Sequence, residues 1–143
     1  MMPQFLIILA CVVGICWQPI TLAEERICTK EEAIEAEDIT TAQSWGQLHQ
    51  QFIDYAHCDD GAIGEGFSES VSILLAGHWQ EIRRLGEMLE SDPTFRKFVF
   101  RHINGTVPAA RLESIVKNAH KQCPQNLDQL CRDIEAAASQ ART

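Results

Sequence analysis

Four cysteines constrain this chain more than any other feature: Cys28, Cys58, Cys123 and Cys131 remain once an apolar N-terminal run is set aside. That run, Phe5 to Trp17, is thirteen residues long, and Thr21-Leu22-Ala23 places small residues where a signal peptidase reads them, so residues 1–23 read as a cleaved signal peptide. It is too short to span a bilayer, which takes about 20 apolar residues, and no second run approaches that length. The expectation is therefore an exported protein, periplasmic in a bacterium and otherwise secreted, with no stable membrane insertion after cleavage. Export to an oxidising compartment favours pairing of an even set of cysteines.

Three pairings are open to four cysteines, and the helix pattern selects among them. Thr29-Lys30-Glu31-Glu32 is a capping box that opens a short acidic helix running to about Ile39. Ser44 caps a second helix with Trp45, Leu48, Phe52 and Ala56 on one face. Up-down helices bring Cys28, before the first, near Cys58, after the second, while Cys123 and Cys131 flank a turn containing Pro124. The expected bridges are Cys28–Cys58 and Cys123–Cys131. By loop-closure entropy they contribute about 3.5 and about 2.5 kcal/mol.

The apolar phase of Phe67, Val71, Leu74, Leu75, Ile82, Leu85 and Leu89 predicts one long third helix. Asp92-Pro93 reads as an N-cap with proline at N1, opening a helix that Asn104-Gly105 closes. Leu112, Ile115, Val116, Ala119 and Cys123 mark a fifth, and Leu127, Leu130, Cys131 and Ile134 a sixth. No stretch alternates with period two for long enough to argue a strand. The expected fold is all-α, a compact bundle of five or six helices stapled by two disulfides, with residues 24–143 as a single domain.

Tyr55 to Val71, YAHCDDGAIGEGFSESV, concentrates residue types used in sites. As a calcium loop it fails, because aligning Gly61 to the glycine position puts Phe67 where a bidentate acid is required. Cys58 beside His57 loses its thiol to a disulfide. Glu65 and Glu69 lie opposite the Phe67-Val71-Leu74 face and read as surface acids rather than a glycosidase pair. The stretch is expected to be structural, with Asp59 to Gly66 as the turn, although a loop presenting carboxylates to a partner has the same composition.

His49, His78 and His102 each have the phase of an apolar helix face. The expectation is three separate, neutral core histidines, with stability falling as pH drops through about 6. A three-histidine metal site is the outside alternative, and it lacks any His-x3-His pair; no cofactor is expected. On the fourth helix Phe100 points away from Phe95, Phe98 and Val99, among Arg96, Lys97 and Arg101, as an interface anchor would unless another helix covers it. Asn104-Gly105-Thr106 is a glycosylation sequon if the source is a eukaryote.

Charge narrows the partners. With 12 basic and 20 acidic residues the net charge is −8. The imbalance lies between Glu24 and Glu69, where 12 acids face 2 bases, while Ser70 onward carries 8 acids and 10 bases. Nucleic acid is excluded as a partner, because phosphate binding needs clustered Lys and Arg. In general build the chain is similar to insect odorant-binding proteins, without their Cys-x3-Cys, and it resembles bacterial periplasmic immunity proteins.

With no coherent catalytic constellation in the sequence, the first expectation is a non-enzymatic protein acting by contact with another protein. An inhibitor or immunity-like protein fits this reading, and a second copy of the chain is a further candidate partner. The candidate surface is Asp59, Asp60, Glu65, Glu69, Arg96, Lys97, Phe100 and Arg101. A small-ligand carrier with an apolar cavity between the helices is the alternative, and an enzyme of unknown class comes third.

Overall fold

Helix starts are where local sequence and structure agree most closely. The computed structural model describes residues 26–38 and 42–143; the signal peptide expected over residues 1–23, with Cys11 and Cys16, lies outside them, as does Ile39. Thr29 accepts from the N–H of Glu32 at 3.2 Å while the Glu32 carboxylate accepts from the N–H of Thr29 at 3.0 Å. This reciprocal pair opens α1, Lys30–Asp38. Ser44 caps α2, Trp45–Tyr55, and Asp92 caps α5, Pro93–Arg101, through the N–H groups of Thr94 and Phe95 at 3.0 and 2.9 Å.

Two expectations change in the middle of the chain. The turn after Cys58 is much shorter than Asp59 to Gly66: a single 3-10 turn, Ala56–Cys58, leads to Asp60, which caps α3, Gly61–Gly77. Gly61 begins this helix at φ +49, a backbone setting that penalises any Cβ. Nor is the long apolar stripe one helix. It breaks at Gly77-His78, and a 3-10 turn, Trp79–Glu81, leads into α4, Ile82–Ser91. A straight helix over the whole stretch would reach about 46 Å, too long for a domain of this size. The break lets Trp79 bury and donate its indole N–H to the Gln122 carbonyl at 2.9 Å. The apolar phase survives the interruption, which is why periodicity alone did not reveal it.

The chain closes with α6, Ala109–Lys121, and α7, Asp128–Ala141. Helix α5 ends at Arg101, a turn earlier than Asn104-Gly105, with His102 as its C-cap. Among the described residues there are seven α-helices and no strand, so the all-α expectation holds with a higher helix count. Both expected disulfides are present: Cys28–Cys58 ties the start of α1 to the end of α2, and Cys123–Cys131 clips the turn between α6 and α7. No helix among the described residues is long and apolar enough to cross a membrane.

One core joins these helices. Val71, Leu74 and Leu75 of α3, Leu85 of α4, Ile115 of α6 and Ile134 of α7 are all fully buried. Asn118 on α6 donates to the carbonyls of Leu75 and Ala76 at 3.1 and 3.0 Å, satisfying acceptors that the end of α3 leaves without partners. Gly86 lets α7 approach α4: a Cβ there would stand 3.2 Å from Leu127 Cδ2. At the opposite end Phe52, Phe67, Phe95 and Phe98 pack edge-on or tilted, with centroids 4.9 to 5.2 Å apart in the Phe52–Phe95, Phe52–Phe98 and Phe67–Phe98 pairs. Leu74→Ala and Leu85→Ala should each lower unfolding free energy by about 2–5 kcal/mol in denaturant titrations. Values within about 0.5 kcal/mol of the parent would contradict the assigned core.

Candidate functional site

The first half of α3, its preceding turn and the segment after α5 meet in a polar junction. Asp59, in the turn, keeps only 6% of its side chain exposed and meets His102 Nε2 at 3.0 Å. Arg101, whose side chain is mostly exposed, pairs with the same carboxylate oxygen from outside. On the other side of the ring, His102 Nδ1 lies 2.9 Å from Ser68 Oγ, and Ser68 Oγ lies 3.0 Å from the Gly64 carbonyl. Asn104 donates from Nδ2 to Ser68 Oγ and to the Arg101 carbonyl, both at 3.0 Å. Its Oδ1 accepts from Thr106 N–H and Oγ1. The amide of the glycosylation sequon is thus fully spent inside the fold.

Burial works to raise the Asp59 pKa, but the His102 hydrogen bond and charge, with the Arg101 guanidinium, outweigh it and hold the carboxyl below its ordinary value. An ionised Asp59 only accepts, so His102 Nε2 donates to it. Nδ1 then accepts the Ser68 hydroxyl in the neutral ring. In the imidazolium it donates instead, and the hydroxyl turns to Gly64. Both states are fully hydrogen-bonded.

A serine, a histidine and an aspartate in line invite comparison with a hydrolase triad. The surroundings favour a structural role. Ser68 is 3% exposed and also receives the Asn104 amide. Ser68 lies two turns into α3, where the backbone N–H groups are engaged within the helix and are not free to hold an oxyanion. The network ties the start of α3 to the end of α5.

The histidines expected in the core have a different logic. Only His102 is buried; His49 and His78 keep 29% and 35% of their side chains exposed. His78 sits at the helix break, where its predicted phase no longer applies. Each histidine of the chain has a carboxylate within 4.0 Å: His49 with Asp92, His57 with Glu32, His78 with Glu81, His102 with Asp59 and His120 with Glu135. His49, His78 and His102 therefore face three different acids and do not converge on a metal. Asp92 is held well below the ordinary carboxylate range by His49 first, then by Thr94 and the Phe95 N–H. Glu32 is lowered to about 2, chiefly by the Thr29 backbone N–H and then by His57.

The eight surface candidates separate into tied and free groups. Arg96 pairs with Asp133 of α7 at 2.7 Å and stacks 5.0 Å above the Phe100 ring, which is half-buried; this aromatic is not a bare anchor. Glu69 pairs with Arg111 at 2.5 Å. With Asp59–Arg101, this joins the acidic and basic halves of the sequence within one molecule. Lys97, Asp60 and Glu65 stay exposed, and Glu65 has no hydrogen bond or ion pair among the described residues.

Three open clefts surround the start of α3. One of about 640 Å³ is lined by Ala62, Glu65, Gly66, Glu69, Thr106 and Val107. A second, of about 360 Å³, opens over Asp59, Ser68, Arg101, His102 and Asn104. The third, of about 550 Å³, lies against Ile27, Cys28, Ala33, His57, Cys58 and Ile63. They adjoin, sharing Glu65, Asp59, Asp60 and Ala62 among their walls. Ser68 and Asn104 were not legible as network members in sequence, since only the arrival of His102 from another helix gives them a common partner.

No protein-family model matches the chain, and neither a curated protein nor a solved structure shows significant similarity to it.

The pH response follows from the carboxylates. Groups whose folded pKa is depressed contribute stability above their unfolded pKa, and that contribution is lost as pH falls through the folded value. Melting temperature should stay level from pH 7.5 to about 5 and drop below about 4. Asp59→Asn should melt lower at neutral pH and approach the parent near pH 2. A parent transition centred near pH 6 would restore the reading of neutral, unpaired histidines.

Proposed function

We propose that this protein is an exported, non-enzymatic binding protein that acts by contact with another protein through the acidic start of α3. The observation that carries this reading is the run of adjoining clefts around Asp60, Ala62, Glu65 and Gly66, where the neighbouring acids Asp59 and Glu69 are neutralised internally and Glu65 is left uncompensated. A Cβ built on Gly66 meets nothing within 4 Å, so nothing inside the fold calls for glycine there. A helix interior gives up roughly 0.5–1 kcal/mol by using glycine instead of alanine. The bare backbone leaves room for a partner's side chain.

Complementarity then favours a partner offering Lys or Arg beside small apolar groups, as an inhibitor or immunity-like protein would meet on its target. Two disulfides fit an oxidising compartment, periplasmic or extracellular. The carrier alternative needs an enclosed apolar cavity, whereas these clefts are open and carboxylate-lined, so they lend it no support.

Affinity capture with residues 24–143 from the native envelope or secreted fraction tests this reading, run beside Glu65→Arg and Lys97→Glu. The partner should be lost with Glu65→Arg, weakened by salt, and retained with Lys97→Glu. Loss with Lys97→Glu alone would move the contact to the α5 face. Recovery of the chain itself would make the contact a homodimer.

A further inference from the structure

The Cys28–Cys58 bridge does not stand alone. The carboxylate of Glu32, an imidazole nitrogen of His57 and Cys58 Sγ all lie within 4.8 Å of one another, and Cys28 Sγ is bonded to Cys58 at 1.97 Å. Four donors of zinc-ligand type are thus gathered where the first turn of α1 meets the Ala56–Cys58 turn. In a tetrahedral zinc site neighbouring ligand atoms lie about 3.3–3.8 Å apart, which small side-chain shifts would reach from this arrangement.

A second observation points at the same spot. His57 Nε2 is buried and makes no hydrogen bond; Glu32 Oε2 is 3.3 Å away but out of alignment. A buried ring nitrogen without a partner costs free energy that a hydrogen bond or a metal would recover. Glu32 is already oriented, accepting from Thr29 N–H and Oγ1 at 3.0 Å and from Arg26 at 2.5 Å. Each carboxylate oxygen has two lone pairs; Oε2 spends both on Thr29, while Oε1 accepts only from Arg26 and keeps one to ligate, with these bonds as its outer support.

We propose that reductive opening of Cys28–Cys58 converts this staple into a zinc site formed by Cys28, Cys58 and His57, with Glu32 as fourth ligand. The opening is a two-electron step. A dithiol or phosphine reductant is oxidised, the S–S bond breaks, and each sulfur takes a proton. Zinc then displaces both protons, because the thiolate is the ligand. The set of two sulfurs, one imidazole and one carboxylate suits Zn²⁺ better than the hard cations that require oxygen donors. Cys58 is buried and Cys28 half-buried, so Cys28 offers the reductant its point of attack. This inference stands independently of the contact surface.

The test uses residues 24–143, reduced with a phosphine under anaerobic conditions and alkylated with N-ethylmaleimide with or without zinc chloride, the cysteines being resolved by peptide mass mapping. Zinc should slow alkylation of Cys28 and Cys58 by at least about tenfold while Cys123 and Cys131 stay reactive, and cobalt(II) should give tetrahedral thiolate absorption at one equivalent. His57→Ala and Glu32→Gln should each weaken the protection, His57→Ala by about tenfold or more. Equal alkylation of all four cysteines with and without zinc would overturn the proposal, including where reduction unfolds the chain. Protection unchanged in both variants would do the same.

Discussion

Helix-start carboxylates that face histidines hold this bundle together at its polar seams. Asp92 caps α5 with one oxygen and meets His49 of α2 with the other; His102, at the opposite end of α5, meets Asp59 beside the cap of α3. Helix α5 is therefore clamped at both ends by histidine–aspartate pairs. Glu32 does the same for α1, closing the capping box while standing against His57. In each case a negative group already favoured by a helix N-terminus gains a cationic or hydrogen-bonding neighbour from elsewhere in the chain. Caps are local devices, and here they also set the contacts between helices.

Around those seams the apolar core and the disulfides divide the labour. Helix α1 buries only Ala36 and leaves Ile34 52% exposed, so burial gives it little hold on the bundle. The Cys28–Cys58 bridge and the contacts of Glu32 and Glu35 with His57 and Tyr55 keep it in place. Helices α3, α6 and α7 supply a large share of the solid core, the rest coming from α2, α4, α5 and the connecting segments, and Cys123–Cys131 fixes the turn between α6 and α7. The cleft against α1 and the acidic face of α3 are consequences of this arrangement. A weakly buried strap lies on one side of the α3 start, and a bare glycine face lies on the other.

Signals confined to a few neighbouring residues were legible in the sequence. The capping box at Thr29, the caps at Ser44 and Asp92 and both disulfides follow from short-range chemistry and from the order of the helices. The break at Gly77-His78 was not legible, because Leu74, Ile82 and Leu85 keep one phase across it. Asp59 read as a presented acid, yet its carboxylate is turned inward; the reason, His102, arrives from a helix more than forty positions away. Whether Phe100 is covered was open in the sequence; Arg96, paired with Asp133 of α7, lies across its ring. What pattern could not show was pairing between distant polar side chains.

The account rests on Asp59 and His102 stabilising the fold jointly. A double-mutant cycle with Asp59→Asn, His102→Gln and the combined variant, followed by denaturant unfolding at pH 7, measures that coupling directly. An interaction energy of about 1 kcal/mol or more in favour of the native pair is expected, as for residues in one buried hydrogen-bonded network. Additive effects within about 0.3 kcal/mol would show that the two side chains stabilise the bundle separately and would contradict the clamp on α5.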